Sequence, residues 1–155
     1  MSISIIECDL SEIVLIKSLW EGLRDYHTSL SEKAATNKTF QQRAKELKEK
    51  VKDGGKIQIL VAIDIADQTY VGYSVSTISK QNVGELDSLF ILEPYRSQGI
   101  GELFMNRSMA WFEENNIERM IMFVSYFNES AMKFYKKFDF EPVSYILTKT
   151  KQSNK

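Results

Sequence analysis

Hydrophobic and polar residues follow two different periods along this chain, and the changes of period mark the predicted elements. In four stretches the apolar residues recur at every third or fourth position, which is typical of helices with one buried face. Six shorter stretches are rich in β-branched and aromatic residues, which indicates strands. The predicted helices cover residues 9–27, 31–52, 100–115 and 128–138, and the predicted strands cover residues 2–7, 57–65, 70–79, 83–92, 119–126 and 143–148.

The order of these elements, β-α-α-β-β-β-α-β-α-β, predicts the fold class. Short turns join the three consecutive strands, so we expect them to form an antiparallel meander. The strand, helix and strand that follow indicate a parallel crossover. We therefore predict a single α+β domain over residues 1–150, with a mixed, mostly antiparallel sheet flanked by helices, and a short polar tail at 151–155.

The composition is that of an ordinary globular protein and argues against several classes of function. Of the 155 residues, 43% are hydrophobic and 26% are charged, and the net charge of −1 gives no general attraction to nucleic acid or membranes. No apolar stretch approaches the ~20 residues that span a bilayer. The single cysteine, Cys8, excludes an internal disulfide and fits a reducing compartment. We expect a cytoplasmic protein that binds neither nucleic acid, membrane nor metal.

The stretch from Gly84 to Trp111 joins a predicted strand to a predicted helix through a loop that contains Gly99 and Gly101. The first amides of a helix have no acceptor within it, and the helix dipole favours negative charge there. Glycines let a diphosphate approach the backbone closely, and Arg96 can either add a charge-assisted contact to a phosphate or brace the loop. The stretch therefore predicts an anion-binding site at the start of the helix.

The loop sequence Arg96-Ser97-Gln98-Gly99-Ile100-Gly101 resembles the Arg/Gln-x-x-Gly-x-Gly/Ala loop of the GNAT superfamily of N-acetyltransferases. The resemblance implies that these six residues bind the pyrophosphate of acetyl-coenzyme A (acetyl-CoA). Two other phosphate-binding motifs are missing from the sequence, which has neither Gly-x-Gly-x-x-Gly nor Gly-Lys-Ser/Thr. The predicted order of elements matches the GNAT order, so the resemblance covers nearly the whole chain.

A second motif begins at Asn128, after the predicted strand 119–126. Residues 128–140 resemble the GNAT signature Asn-x-x-Ala/Ser-x-x-Phe/Leu-Tyr-x-x-x-Gly-Phe, with Asp139 in place of the glycine. Asn128 suits a helix N-cap, and Tyr135 stands two turns further on, so both can line one groove. The resemblance implies that both residues bind the cofactor and that Tyr135 protonates the sulfur of coenzyme A. Without the family pattern, Tyr135 would more simply be a core aromatic residue.

The resemblance assigns further cofactor contacts to the central strand, 83–92. A backbone amide near Leu89, Phe90 and Ile91 is expected to polarise the thioester carbonyl. This strand is also expected to splay from strand 119–126. The gap between them would admit the pantetheine arm of the cofactor along an exposed backbone edge.

Two acidic residues of the same strand, Glu85 and Asp87, are candidates for the base that removes the proton from the amine. They alternate along the strand and therefore share a face. Segment 86–91 is locally similar to spermidine/spermine N-acetyltransferases, in which a Glu at the position of Asp87 is the proposed base. Three alternatives stay open: ordered water as the base, carboxylates that are simply solvated, or carboxylates that pair with a nearby lysine.

Tyr26, His27 and Tyr73 are predicted walls of the acceptor pocket, because aromatic faces can hold cations. The sequence thus predicts an acetyl-CoA-dependent N-acetyltransferase, expected to be a homodimer, that acts by direct attack in a ternary complex. The predicted acceptor is a primary amine of a small molecule, namely a polyamine, an amino sugar or an amino acid derivative. Two alternatives are a non-catalytic acyl-CoA-binding or regulatory module of the same fold, and an acetyltransferase that acts on a protein or peptide amine.

Overall fold

Five strands form one sheet in the order in which they occur along the chain. A computed structural model describes residues 2–151. The strands are β1 (Ile3–Cys8), β2 (Lys56–Asp64), β3 (Thr69–Ile78), β4 (Val83–Ile91) and β5 (Arg119–Met122). Neighbours from β1 to β4 pair antiparallel, and β4 and β5 pair parallel. This is the predicted meander followed by the predicted crossover.

The helices flank this sheet. They are α1 (Lys17–Leu30), α2 (Phe40–Lys50), α3 (Ile100–Glu114) and α4 (Glu129–Lys136), with short 3₁₀ helices at Leu10–Ile16, Glu32–Ala34 and Glu93–Tyr95. Helix α2 begins later than predicted because Thr39 caps it. The Thr39 hydroxyl accepts a hydrogen bond from the Gln42 amide at 3.2 Å, and the Gln42 side chain accepts one from the Thr39 amide at 2.8 Å. Within residues 2–151, none of the helices is long and apolar enough to cross a bilayer.

The sheet buries apolar residues on both faces, which places β4 between two helical layers. Ile59 and Val61 of β2 belong to the cluster formed with α1 and α2, whereas Leu60 and Ala62 belong to the cluster formed with α3. This alternation is the two-residue period of a strand covered on both sides. In β4 the side chain of Phe90 likewise joins the first cluster.

A β-bulge interrupts β4 at Asp87. Val75 of β3 lies opposite Ser88, and the next residue, Ser76, lies opposite Leu86, so Asp87 has no counterpart on β3. Bulges of this kind bend a strand and change the direction of its side chains. The bulge therefore lets Asp87 and Ser88 both lie on the side of the sheet that α2 covers, which strict alternation would forbid.

The structure corrects two predicted strands near the C-terminus. Strand β5 ends at Met122 rather than at residue 126, and the predicted closing strand 143–148 does not form. Its apolar residues are largely exposed: Val143, Tyr145, Ile146 and Leu147 are between 75% and 94% accessible. Residues 143–148 pair neither with the outer edge of β5 nor with any other strand among the described residues, so no hydrogen-bond ladder holds them extended. Most of the predicted polar tail, residues 152–155, lies outside the described residues.

Candidate active site

The parallel pairing of β4 with β5 stops halfway along β4 and leaves an opening. The last paired residues are Leu86 and Met122, whereas β4 continues to Ile91 with β3 as its neighbour on the other side. Within the described part of the chain, no strand covers the β5 side of residues 87–91. The edge of β4 that faces this opening has no strand partner, although the Ile91 carbonyl accepts a hydrogen bond from the Arg96 side chain.

The glycine loop lies at the end of this opening, where α3 begins. Gly99 is the N-cap of α3, with a left-handed φ of 83° and no side chain to cap the helix. A Cβ built at Gly99 would meet no atom within 4 Å, so the first amides of α3 are approachable from that side. An approachable helix N-terminus next to an open strand edge fits a ligand with a phosphate group at one end of a chain.

Gly101 has a different role from Gly99. A Cβ at this position would lie 3.0 Å from Cζ of Phe134, a residue of α4. The absence of a Cβ at Gly101 therefore lets α3 and α4 pack closely, which positions α4 beside the loop. The sequence pattern did not distinguish this packing role from close approach of a ligand.

The Arg96 side chain braces the loop from behind. Its Nε donates a hydrogen bond to the Ile91 carbonyl at 2.8 Å, and its guanidinium lies over the rings of Tyr26 at 5.2 Å and Phe90 at 5.4 Å. The Gln98 side chain also binds the loop itself, by donating to the Pro94 carbonyl at 3.1 Å. Of the two functions considered for Arg96, bracing is the one that this geometry favours.

The second motif forms α4 on the far side of the opening. Oδ1 of Asn128 accepts hydrogen bonds at 3.2 Å from the Ala131 amide and from the Ser130 hydroxyl, so Asn128 is the predicted N-cap. Asp139 adopts φ 66°, the left-handed conformation that the usual glycine would supply. The end of α4 thus keeps its geometry despite the substitution.

Tyr135 lies on α4 in a largely apolar setting. Its ring packs against Phe134 at 5.2 Å and Phe140 at 6.5 Å between ring centroids. Burial raises the pKa of Tyr135 to about 12. Its hydroxyl therefore stays protonated at neutral pH, as a general acid requires.

The two acidic residues of β4 meet cations from α2. The Lys50 ammonium donates to Glu85 and, at 2.6 Å, to Asp87, whose side chain is fully buried. Asp87 also accepts from the Thr77 hydroxyl at 2.6 Å and from Arg43 at 3.3 Å. Glu85 and Asp87 share a face as predicted, and the lysine partner that the sequence left open is Lys50.

These contacts give the two carboxylates different chemical environments. Asp87 has three partners and no exposed side-chain surface, so it anchors Lys50 and Arg43 rather than facing an acceptor. The Glu85 side chain keeps 16% exposure. Burial, followed by the contact with Asp87, raises the pKa of Glu85, whereas Lys50 opposes that rise. Glu85 is therefore the carboxylate better suited to take up a proton.

The three predicted acceptor-pocket residues differ in burial: Tyr73 is fully buried, whereas Tyr26 and His27 are half-buried. Tyr73 is fully buried, and its hydroxyl has no hydrogen-bond partner among the described residues. Burial raises the pKa of Tyr73, and Asp87 and Tyr135 raise it further, whereas Ser88 and Arg43 lower it. Tyr26 and His27 instead lie together on α1, with ring centroids 6.2 Å apart, and Tyr26 contacts Arg96 of the loop.

Four residues of this region were missed by sequence reasoning: Arg43, Lys50, Thr77 and Ser88. The lysine and arginine lie on the polar face of α2, which a helical pattern assigns to solvent. Thr77 and Ser88 sit on strands, where the bulge at Asp87 decides which side chains meet. The sequence offered one signal for Thr77 and Ser88, namely a short polar residue within an otherwise apolar strand.

A comparison with protein families agrees with the motifs. The model described as "Acetyltransferase (GNAT) family" matches residues 16–140. A stretch of 67 residues, 43% of this chain, is 28% identical to an uncharacterised N-acetyltransferase of Methanocaldococcus jannaschii. That match spans 30% of the relative's own length.

Solved structures share the fold. A GNAT-family acetyltransferase from Staphylococcus aureus has a TM-score of 0.72 and 21% identity, over 92% of this chain and 87% of that chain. The aminoglycoside N-acetyltransferase AAC(6')-Iy, solved with a bisubstrate analogue that contains coenzyme A, has a TM-score of 0.68 and 14% identity, over 99% and 100% of the two chains. At these identities the likeness concerns the fold alone.

Proposed function

Because this chain belongs to the GNAT acetyltransferase family, we propose that it transfers an acetyl group from acetyl-CoA to a primary amine of a small molecule, by direct attack in a ternary complex. The observation that carries the proposal is the opening between β4 and β5, which has the N-terminus of α3 at one end and Tyr135 beside it. A purely structural sheet would gain stability by continuing the pairing.

The residues present fit a coenzyme A thioester. The open side of Gly99 and the first amides of α3 suit its diphosphate. The unpaired backbone edge of residues 87–91 suits the amide groups of its pantetheine arm, and an amide near Leu89 to Ile91 would polarise the acetyl carbonyl. When bound, the thioester supplies an activated acyl group with a thiolate as leaving group.

Each proton that moves during acetyl transfer then has a donor and an acceptor. Transfer would form a C–N bond between the acceptor and the acetyl carbon and break the C–S bond, and the Tyr135 hydroxyl would donate its proton to the leaving sulfur. The amine proton passes to Glu85 through ordered water, with Asp87 holding Lys50 and Arg43 in place. Glu85 then releases its proton to solvent and Tyr135 takes one up from solvent, so both residues return to their starting states and the reaction is balanced.

The proposed acceptor is cationic or zwitterionic, such as an amino sugar, a polyamine or an amino acid derivative. A shallow groove along α2 ends at Lys50 and is lined by side chains of both signs, among them Lys45, Glu46 and Glu49. Tyr26 and His27 on α1 offer aromatic faces near the loop. One structural neighbour is an aminoglycoside N-acetyltransferase, which supports an amino sugar among the candidates.

A panel of amines tests this proposal. The protein is incubated with acetyl-CoA and polyamines, amino sugars, amino acid derivatives or lysine peptides, and the free thiol released is measured against Tyr135→Phe. Release that depends on one class of small amine supports the proposal. Release with peptides alone favours the peptide acetyltransferase. Tight acetyl-CoA binding without release for any amine favours the non-catalytic module.

The proposal includes a cytoplasmic homodimer. The buried free thiol of Cys8 is compatible with a reducing compartment, where acetyl transfer to metabolites would take place. The dimer is supported by the exposed apolar residues Val143, Ile146 and Leu147 of the C-terminal segment, since exposed apolar surface of this kind marks interaction sites.

A further inference from the structure

The guanidinium of Arg96 lies on the side of the sheet that α1 and α2 cover. Its central carbon lies 5.2 Å from the centre of the Tyr26 ring and 5.4 Å from the centre of the Phe90 ring. Phe90 belongs to the apolar cluster formed with α1 and α2, and Tyr26 packs against that cluster. The first turn of α3 packs through Ile100 and Phe104 into the cluster on the other side of the sheet. The charged end of Arg96 therefore lies beside α1 rather than with the proposed diphosphate site.

Three contacts fix the orientation of this guanidinium. Its Nε donates a hydrogen bond to the Ile91 carbonyl at 2.8 Å, and the rings of Tyr26 and Phe90 both lie within cation–π distance of it. A free arginine side chain loses much rotamer freedom when it binds a ligand, and that loss weakens binding. Because the Arg96 side chain is already held in place, it can bind an anion at a smaller cost in entropy.

The two terminal nitrogens of Arg96 have no partner within residues 2–151. There they donate no hydrogen bond and form no ion pair, since the bond from Nε is the one that the side chain makes. The buried side-chain atoms without a hydrogen-bond partner in this part of the chain belong to Gln58, Tyr73 and Ser74, so the unpaired nitrogens of Arg96 reach the surface. The outer edge of the guanidinium, a planar fork of N–H donors, is thus open to a ligand.

Two other cations on this side of the sheet differ from Arg96 because carboxylates neutralise them. Arg43 and Lys50 both donate to Asp87, and Lys50 also donates to Glu85. Arg96 therefore leaves an uncompensated positive charge on the acceptor side. A polyamine, which carries positive charge alone, would be repelled there, whereas an amine that also carries a carboxylate would pair with the guanidinium. Among the proposed acceptors, the amino acid derivatives are the class defined by both groups.

We propose that Arg96 determines acceptor specificity by binding the carboxylate of an amino acid or amino acid derivative through its two terminal nitrogens. Guanidinium and carboxylate match as two parallel N–H···O bonds, which orient the bound molecule as well as hold it. The Nε bond to Ile91 places this fork beside the stretch of β4 whose amides are proposed to polarise the acetyl carbonyl. The amine of the same molecule is thereby kept near the acetyl carbon. The inference rests on the proposed function and narrows its acceptor to one class.

Calorimetry in the presence of free coenzyme A tests the acceptor class without acetyl transfer. The probes are the common amino acids and β-alanine, each compared with its own carboxamide, which keeps the amine and the size of the molecule but removes the negative charge. We expect at least one acid to bind roughly 10- to 100-fold more tightly than its amide, the usual scale for hydrogen bonds to a charged group. Failure of every acid to bind, or equal affinities for acid and amide, would overturn the proposal.

Arg96→Gln separates carboxylate binding from bracing of the loop. Glutamine keeps a side-chain donor and is the alternative residue in the Arg/Gln-x-x-Gly-x-Gly/Ala pattern, so affinity for acetyl-CoA should change little while the preference for acid over amide disappears. Arg24→Gln is the matched control. Arg24 also lies over an aromatic ring, 5.5 Å from that of Trp20, but its guanidinium already binds Asp25 and the Lys38 carbonyl. Equal effects of the two variants, or a matching loss of acetyl-CoA affinity in Arg96→Gln, would exclude a carboxylate site.

Thiol release from acetyl-CoA, assayed separately, distinguishes failure of this inference from failure of the proposed function. If both hold, Arg96→Gln should raise KM for the acid by roughly 10- to 100-fold with a smaller change in kcat, because the carboxylate contact exists before and during transfer. Selective, Arg96-dependent binding of acids without any thiol release would contradict the acetyltransferase proposal and keep the carboxylate site. Release that is as fast with amides as with acids would keep the enzyme and refute the site.

Discussion

The Tyr135 hydroxyl keeps its proton well above neutral pH because burial raises its pKa to about 12. Tyr135→Phe removes that proton and almost nothing else. We expect kcat to fall by roughly 100-fold or more with little change in affinity for acetyl-CoA. Steady-state kinetics together with calorimetry measures both quantities. A Phe variant with the turnover of the parent would mean that Tyr135 is a packing residue.

Glu85 is expected to determine how kcat/KM falls as the pH is lowered. Its pKa is raised, so lowering the pH through that value protonates the carboxylate and removes the proton acceptor. The kcat/KM of the parent should therefore fall on acidification, whereas Glu85→Gln should be slower at neutral pH and lack that fall. Glu114→Gln, an exposed change at the end of α3, serves as control. Identical profiles for parent and Glu85→Gln would leave water as the base.

At the scale of elements, the contact between α2 and β4 depends on one carboxylate. Asp87→Asn leaves Lys50 and Arg43 without their buried partner, and these cations are 30% and 19% exposed. Because both cations stay partly hydrated, losing their partner costs less than it would in a fully buried ion pair. We therefore expect the free energy of unfolding to fall by about 1–3 kcal/mol. Glu46→Gln, whose partner Lys38 is also on the surface, should cost less than about 1 kcal/mol. Equal losses in urea denaturation would contradict the anchoring role.

The N-terminus of α3 provides a second test at this scale. Gly99→Glu places a carboxylate at the proposed diphosphate site, and we expect the dissociation constant for acetyl-CoA to rise by roughly tenfold or more. Gly54→Glu is a matched control because Gly54 also has a positive φ and no neighbour within 4 Å, but it lies in the turn before β2. Both substitutions carry similar backbone strain. Calorimetry that finds equal affinities for both variants would refute the assignment of the loop.

At the scale of the whole molecule, His27 should make stability depend on pH. Burial lowers the pKa of His27 below its ordinary 6.5, so the folded state disfavours the charged imidazole. The stability that this neutral form contributes is present above pH 6.5 and is lost as the pH falls through the lowered pKa. Parent and His27→Gln should therefore differ less in unfolding midpoint at acidic pH than at neutral pH. A constant difference between them would exclude this contribution of His27.

Most of the fold was predictable because its signals are local. Apolar periodicity located four helices and five strands of the sheet, and the Asn128 cap and the left-handed Asp139 follow from single residues. The prediction of the closing strand was wrong because β propensity tells where a strand can form but does not decide whether its backbone pairs, and residues 143–148 do not pair with the unpaired edge of β5. The network around Asp87 could not be predicted either, since it depends on a bulge and on α2, which is distant in sequence.

The bulge at Asp87 has a consequence for how such a chain can change by mutation. It is a single extra residue, so one in-frame codon deletion would restore regular alternation in β4 without shortening the sheet. That event would remove the carboxylate that holds α2, while the glycine loop and α4 would keep their sequences. Loss of one codon could therefore leave a chain that retains the cofactor-binding motifs but has lost the charge network beside them.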